Sequence, residues 1–330
     1  PFPDCWQFLW VDTISQISSV SPFTPLPNNT YLGLVPRGFG YQDLLDAAVT
    51  NGNSAGPNIA LRTLGGWVPT NVAVAVAKGA GQSRAIGRTI SMAQMRVIKD
   101  RIGSAVSTLS SAEATAQLDE LCRKVGAQPG ANPEIQAFLI GSIAGGTGAG
   151  IFMDVAEAMV AADPTMAKQH RTILYAPDIF SYLPAAAVRE TAPNALAAIS
   201  EVISGTWSTM MPDAAHSYYQ ASGINARTDK FGPGKVFLVG SANSGGVNLG
   251  NQDVVYRAAG EAIAAISVSE ELHTELFERL EANVFEKANT DLTRLKVNTG
   301  EAVPGARGGD VLPLSSLGFA RVSLGAERLG

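Results

Sequence analysis

The sequence predicts an α/β fold, a mainly parallel sheet covered on both faces by helices. Three observations predict it. Short apolar runs alternate along the chain with segments of helical periodicity. One of those runs, Ala137 to Ile140, feeds a glycine-rich stretch and then a helix-like segment, which is a strand–loop–helix unit. The chain of 330 residues is 46% apolar and 16% charged, enough for one large or two ordinary domains with a proper core.

Each element has its own warrant. Residues 6–12 read as a strand ending in Asp12, with Phe8–Val11 as its apolar run. Residues 14–70 are rich in Pro, Gly, Asn and Ser and read as loop with short helical pieces such as Tyr41–Val49. Val72–Ala77 is an apolar run leading to Gly79. Thr89–Ser110 places Ile90, Met95, Val97, Ile98, Ile102 and Val106 at helical spacing. Ser111–Val125 reads as another helix with Ser111 as its cap. Ile151–Ala162 and Ala192–Ile203 are helical, and Ile173–Ala176 is a strand ended by Pro177. Lys235–Val239 is a strand closed by Gly240. Asp253–Ile266 and Glu270–Lys287 read as helix, and Val311–Ser323 returns to strand character.

Two glycine-rich stretches carry the candidate chemistry. The first is Gly145, Gly146, Thr147, Gly148, Ala149 and Gly150. Glycines let a backbone approach an anion and adopt positive φ. The free N–H groups and positive dipole end of the following helix then face that anion, and Thr147 adds a hydroxyl donor. No Lys-Ser/Thr pair follows, so this is not a Walker loop. The order GGxGxG is a poor dinucleotide fingerprint. The second stretch, Gly79, Ala80, Gly81 and Gln82, also follows an apolar run. Ligands of parallel sheets bind outside the carboxyl ends of strands, so the two loops can converge on one ligand. Paired loops of backbone N–H groups suit a triphosphate chain. Neither loop holds Lys or Arg, which leaves charge balance to helix dipoles and a bound cation, Mg²⁺. The alternative for either stretch is a tight turn that packs a helix against the sheet.

Gly-Gly-Thr-Gly-Ala-Gly at 145–150 resembles the signature loop of the tubulin/FtsZ superfamily. Gly79-Ala80-Gly81-Gln82, followed by Ser-Arg-Ala-Ile-Gly87-Arg88, resembles that family's earlier phosphate loop. Asn289-Thr-Asp291-Leu292, running on through Leu295 and Val297 to Asn298, resembles the synergy loop. Ser315-Ser-Leu-Gly318-Phe-Ala320-Arg resembles the start of the family's second domain. The matches keep the family's order over about residues 8–330, and the chain looks closest to the divergent bacterial tubulin-like proteins.

The resemblance implies a tubulin/FtsZ-type nucleotide-binding domain, a long core helix and the start of a second α+β domain. The expected boundaries are 1–250 for the GTP-binding domain, 251–288 for the core helix region and 289–330 for the synergy loop and second domain. It implies GTP or GDP with Mg²⁺, and head-to-tail self-assembly into a homopolymer. It assigns guanine and ribose contact to Asn194, and base recognition to the start of the helix at Asn251–Ala259, where Asp253 and Tyr256 can hydrogen-bond and stack. Guanine's N1–H and N2–H₂ donors suit a carboxylate or amide acceptor. The alternative for Asp253 is an acidic residue favoured at a helix N-terminus. Asp12 is placed at the ribose or the cation, and Asp178 at the ribose region. Asn289 and Asp291 would reach a neighbour's γ-phosphate and polarise the attacking water. The next acidic position of that loop is Arg294 here. Arginine cannot act as a general base, so GTP binding with slow or absent hydrolysis is expected. The alternative for Asn289–Asn298 is an amphipathic surface helix. The alternative for the whole is a non-polymerising regulatory module of a larger protein. A nucleotide-cofactor oxidoreductase is disfavoured, since no redox motif accompanies the loop.

Composition narrows the partners. A net charge of −5 and no basic run give no footprint for nucleic acid. No stretch of about 18 uninterrupted apolar residues predicts a membrane span. Cys5 and Cys122 lie far apart and read as buried thiols of a reducing, cytoplasmic protein. His170, His216 and His273 show no metal spacing. The chain starts without methionine and without the strand, glycine loop and helix that the family places first, so an N-terminal truncation is expected, with internal gaps possible near Asp12–Gln16.

Overall fold

The computed structural model describes residues 2–17, 23, 26–50, 68, 69, 72, 79–128, 133–207, 219, 220, 222–225, 231–242, 245–269, 272, 274, 275 and 314–316. A short strand β1 (Trp10–Asp12) pairs in parallel with β2 (Tyr31–Gly33), which a 3₁₀ turn at Asn28–Thr30 precedes. Helix α1 (Tyr41–Thr50) follows, then α2 (Arg84–Ala93), α3 (Met95–Leu109) and α4 (Ala112–Val125). Strand β3 (Ala137–Ser142) leads into α5 (Gly146–Ala162) and the short α6 (Met166–Gln169). Strand β4 (His170–Tyr175) is followed by a 3₁₀ turn at Pro177–Phe180 and by α7 (Ala185–Trp207). Strand β5 (Val236–Val239), α8 (Gln252–Val268) and β6 (Leu314–Ser316) complete the described elements.

Strands β3, β4, β5 and β6 form one sheet in that order, all parallel. The alternation along β4 shows why both faces must be covered. Leu174 packs with Phe152, Met153, Ala198 and Val202 of α5 and α7, whereas Ile173 and Tyr175 pack with Val255 and Ala259 of α8. Side chains of a strand point alternately to opposite faces. Every residue of β4 is accordingly buried. A further apolar cluster joins α1, α2, α3 and the outer face of α5, with Tyr219 among its fully buried members. The result is a sheet between helical layers, the α/β class expected from the sequence.

Several boundaries differ from the expectation. Helix α5 begins at Gly146, not Ile151, so three of the four glycines in the signature stretch are helical and only Gly145 stands outside, at the N-cap. The expected helix over 89–110 is two helices that begin earlier, at Arg84, and break at Gln94 (φ −109°, ψ 15°). Helix α7 starts at Ala185 and passes through Pro193, which reads as a breaker in sequence because it lacks an N–H for the preceding turn. Strand β2 lies in a stretch expected to be loop. The Ser111 cap does form, its Oγ accepting from Ala114 N at 3.1 Å, and Gly126 closes the helix in the left-handed region at φ 75°. Cys5 and Cys122 are free and half-buried, not buried. Most of the 72–77 run and of 270–287, along with the synergy-loop match at 289–298, lie outside the described residues. Among the described residues no helix is long and apolar enough to cross a membrane.

Candidate functional site

Parallel pairing aligns the strand ends. Ser142 at the end of β3 is in register with Tyr175 of β4, and Tyr175 with Val239 of β5. The loops that leave these strands therefore sit side by side on one edge of the sheet, where ligands of such folds bind.

The first group of predicted residues gathers at the end of β3. Helix α5 makes its first intrahelical bond from Ala149 N to Gly145 O at 3.2 Å. The N–H groups of Gly146, Thr147 and Gly148 are then left over for a ligand, as at any uncapped helix start, and Gly145 offers no side chain to cap them. Asp12 ends β1 beside them. Its Oδ1 accepts from Thr13 N at 2.6 Å, and the Thr13 and Thr147 hydroxyls lie 2.8 Å apart. Burial raises the Asp12 carboxyl above its ordinary value, and bonds from the backbone at Thr13 and Ile14 and from the Thr147 and Thr13 hydroxyls offset part of that rise. The 79–82 loop closes the same space. Gly79 (φ 107°), Gly81 (φ 58°) and Gln82 (φ 62°) all have positive φ, and a Cβ at Gly79 would lie 3.6 Å from Ile14 Cγ2. Glycine is required there by the backbone angle rather than by crowding. The Gln82 side-chain oxygen is buried and has no hydrogen-bond partner among the described residues.

The four glycines of the signature stretch divide by what surrounds them. A Cβ at Gly146 would lie 2.7 Å from Ser83 N, and one at Gly150 would lie 2.7 Å from both Arg84 O and Arg88 N. A Cβ at Gly148 would overlap the Ser142 carbonyl oxygen, and one at Gly87 would overlap that of Gly146. These glycines let α2, α5 and the end of β3 pack backbone against backbone. Gly145 alone faces open space, with no atom within 4 Å of a built Cβ.

Asn194, on α7, bridges the two loops. Its amide nitrogen donates to Gln82 O at 2.8 Å and to Ala144 O at 3.0 Å. Two turns further along α7, Glu201 pairs with Arg84 and, at 2.8 Å, with Arg88 NH1. Arg88 also lies 3.6 Å from Asp154 of α5, a fully buried carboxylate that accepts from the Ser91 and Tyr219 hydroxyls. The guanidinium stays charged in this buried setting because the Asp154 and Glu201 carboxylates outweigh its desolvation. Thus the arginines just beyond the 79–82 loop spend their charge on α5 and α7.

The second group lies at the ends of β4 and β5. Asp178 accepts from Ser241 N at 2.6 Å and Ser241 Oγ at 2.8 Å, joining the turn after β4 to the loop after β5. Tyr256 of α8 packs its ring on Tyr175, with centroids 4.6 Å apart. Burial pushes the Tyr175 hydroxyl up to about 12. Asn251 caps α8 through Val254 N at 3.0 Å, and Asp253 sits exposed in the first turn. Asn289, Asp291 and Arg294 lie outside the described residues.

Sequence reasoning passed over Thr13, Arg84, Arg88 and Glu201 as parts of the site. Thr13 carried a signal, since it directly follows the acidic end of a strand. The arginines and Glu201 carried none, because their meeting depends on how α2 and α7 cross. Among the described residues no group of three or more His, Cys, Asp or Glu is placed to hold a metal ion. The open N–H groups and the space before Gly145 fit a bound anion, whereas the buried Gln82 acceptor fits a hydroxyl or N–H donor of a ligand. Asp12 is the carboxylate at hand for a hydrated cation, which for Mg²⁺ needs only one or two protein carboxylates.

A model of the family described as "Tubulin like" matches residues 2–330. No curated protein and no solved structure matches the chain.

Proposed function

The chain belongs to the tubulin-like family, and from that premise we propose that it binds a guanine nucleotide at the carboxyl edge of its sheet and assembles head to tail into filaments. The observation that carries the binding half is the meeting of Asp12, Thr13, the 79–82 loop and the uncapped start of α5 at one place. In this reading the N–H groups of Gly146–Gly148 and the Thr147 hydroxyl hold phosphate oxygens, and the α5 dipole favours their charge. Asp12 orients Mg²⁺, whose chemistry is to neutralise the phosphate chain. Asp178 serves the ribose region, and Asp253 and Tyr256 serve the base. The ring of Tyr256, already supported by Tyr175, offers a stacking surface.

The assembly half rests on the family and on the Asn289–Asp291 match. A head-to-tail contact is heterologous and grows into open polymers unless its rotation closes. Hydrolysis is slow or absent, because Arg294 replaces the acidic group that would polarise water. Light scattering and sedimentation test this half. GTP with Mg²⁺ is expected to give polymer above a critical protein concentration. Monomer throughout, at any concentration and with any nucleotide, would favour the non-polymerising regulatory module.

A further inference from the structure

We infer that Asn194 is a positioning residue that holds the 79–82 loop and the Ala144–Gly145 turn in register with each other, acting on the phosphate end of the ligand through the backbone. This deepens the proposed site and rests on that reading for its nucleotide arm. The Asn194 amide carries two N–H donors, and both are used, one on Gln82 O and one on Ala144 O. The side chain is 9% exposed, so water does not readily replace either bond. The two carbonyls it joins belong to the two loops themselves and to no helix or strand. Gln82 is the one non-glycine residue of its loop at positive φ (62°), a backbone state an ordinary side chain adopts only when its surroundings hold it. The bond to its carbonyl is such a restraint. Asn194 and Glu201 lie seven residues apart, on one face of α7. Glu201 grips Arg84 and Arg88 just behind the first loop. Helix α7 therefore straps the loop-bearing starts of α2 and α5 at two points, and Asn194 is the point nearest the ligand.

Two arms test this. In ligand-free protein, hydrogen exchange is followed at the amides of residues 79–83 and 144–148. Asn194→Leu keeps the volume and removes both donors, and Asn194→Ser is made beside it so that a folded variant is in hand. Exchange is expected to rise about tenfold or more in both loops together, with α4 amides unchanged. Unchanged exchange in either loop would overturn the proposal. In the second arm, GTP, GDP, ITP and guanosine are titrated. Losses of about tenfold for GTP, GDP and ITP alike, with guanosine binding unchanged, support positioning. Loss of the preference for GTP over ITP, or an equal loss for guanosine, would make Asn194 a base contact and overturn it. If the unaltered protein binds none of the four, the proposed function falls, and the exchange arm still decides the inference.

Discussion

Gly145 and Gly148 stand three residues apart in one stretch, yet different neighbours constrain them. A side chain at 148 would overlap the Ser142 carbonyl, whereas one at 145 meets nothing within 4 Å and sits at φ −96°, ψ 169°, which any residue accepts. Gly148→Val is therefore expected to destabilise the fold by about 3 kcal/mol or more in urea denaturation, and it reports nothing about phosphate. Gly145→Ala is expected to keep the unfolding midpoint and to weaken nucleotide binding about tenfold, about 1.4 kcal/mol. Unchanged affinity in the folded Gly145→Ala protein would count against an anion at this place. Asp12 gives a second test. Its carboxyl is raised by burial, so the folded state holds that proton more tightly than the unfolded chain does. The associated stability is fully present below the ordinary carboxylate range and is lost as pH rises through the folded-state value. Asp12→Asn is expected to flatten that slope, leaving the protein no less stable at neutral pH while weakening binding of the Mg²⁺ complex. A variant that is less stable at neutral pH would show Asp12 to be a structural anchor. The glycine pattern was legible as a site in sequence, but not which glycine serves it. Crowding by Ser142, Ser83 and Arg88 arises only when α2, α5 and β3 pack.

At the scale of elements, α2, α5 and α7 act as one block. Their contact is made by glycine backbones on one side and by Arg84, Arg88, Asp154 and Glu201 on the other. Asp154→Ala would take from the buried Arg88 guanidinium one of its two neighbouring carboxylates and remove an acceptor from the Ser91 and Tyr219 hydroxyls. Removing one partner of a buried pair costs about 3–5 kcal/mol, a loss expected in urea denaturation. A loss below about 1 kcal/mol would mean that water enters this cluster. Strand ends and the cap of α4 could be read from sequence because Pro177, Gly240 and Ser111 punctuate locally. The start of α5 could not. Each helical glycine costs about 1 kcal/mol relative to alanine, so local propensity ends the loop at Ile151, and only close packing moves the helix start back to Gly146. Pro193 hid the first turns of α7 in the same way, and β2, three residues in a proline-rich stretch, carries too little periodicity to declare itself.

At the scale of the whole molecule, the fold class followed from alternation alone, because a fully buried strand such as β4 and helices on both faces leave a period the sequence displays. The convergence of Asp12 with two loops far apart in sequence followed from the family resemblance and the rule that strand ends share an edge. The strap across those loops did not, since donors such as those of Asn194 choose carbonyls only in the assembled structure. If Asp291 completes a neighbour's site, specific GTPase activity, however slow, is expected to rise with protein concentration, and Asp291→Ala is expected to lower it without changing nucleotide affinity in dilute protein. Activity flat across a wide concentration range would undo the shared site. The central claim is narrower, that this edge of the sheet holds a guanine nucleotide. Calorimetric titration of dilute monomer with GTP, GDP and ATP in Mg²⁺ tests it most directly. Binding of GTP or GDP at least about tenfold tighter than ATP, a difference of about 1.4 kcal/mol, is the predicted result, and equal affinity for ATP, or no binding of any of the three, would contradict it.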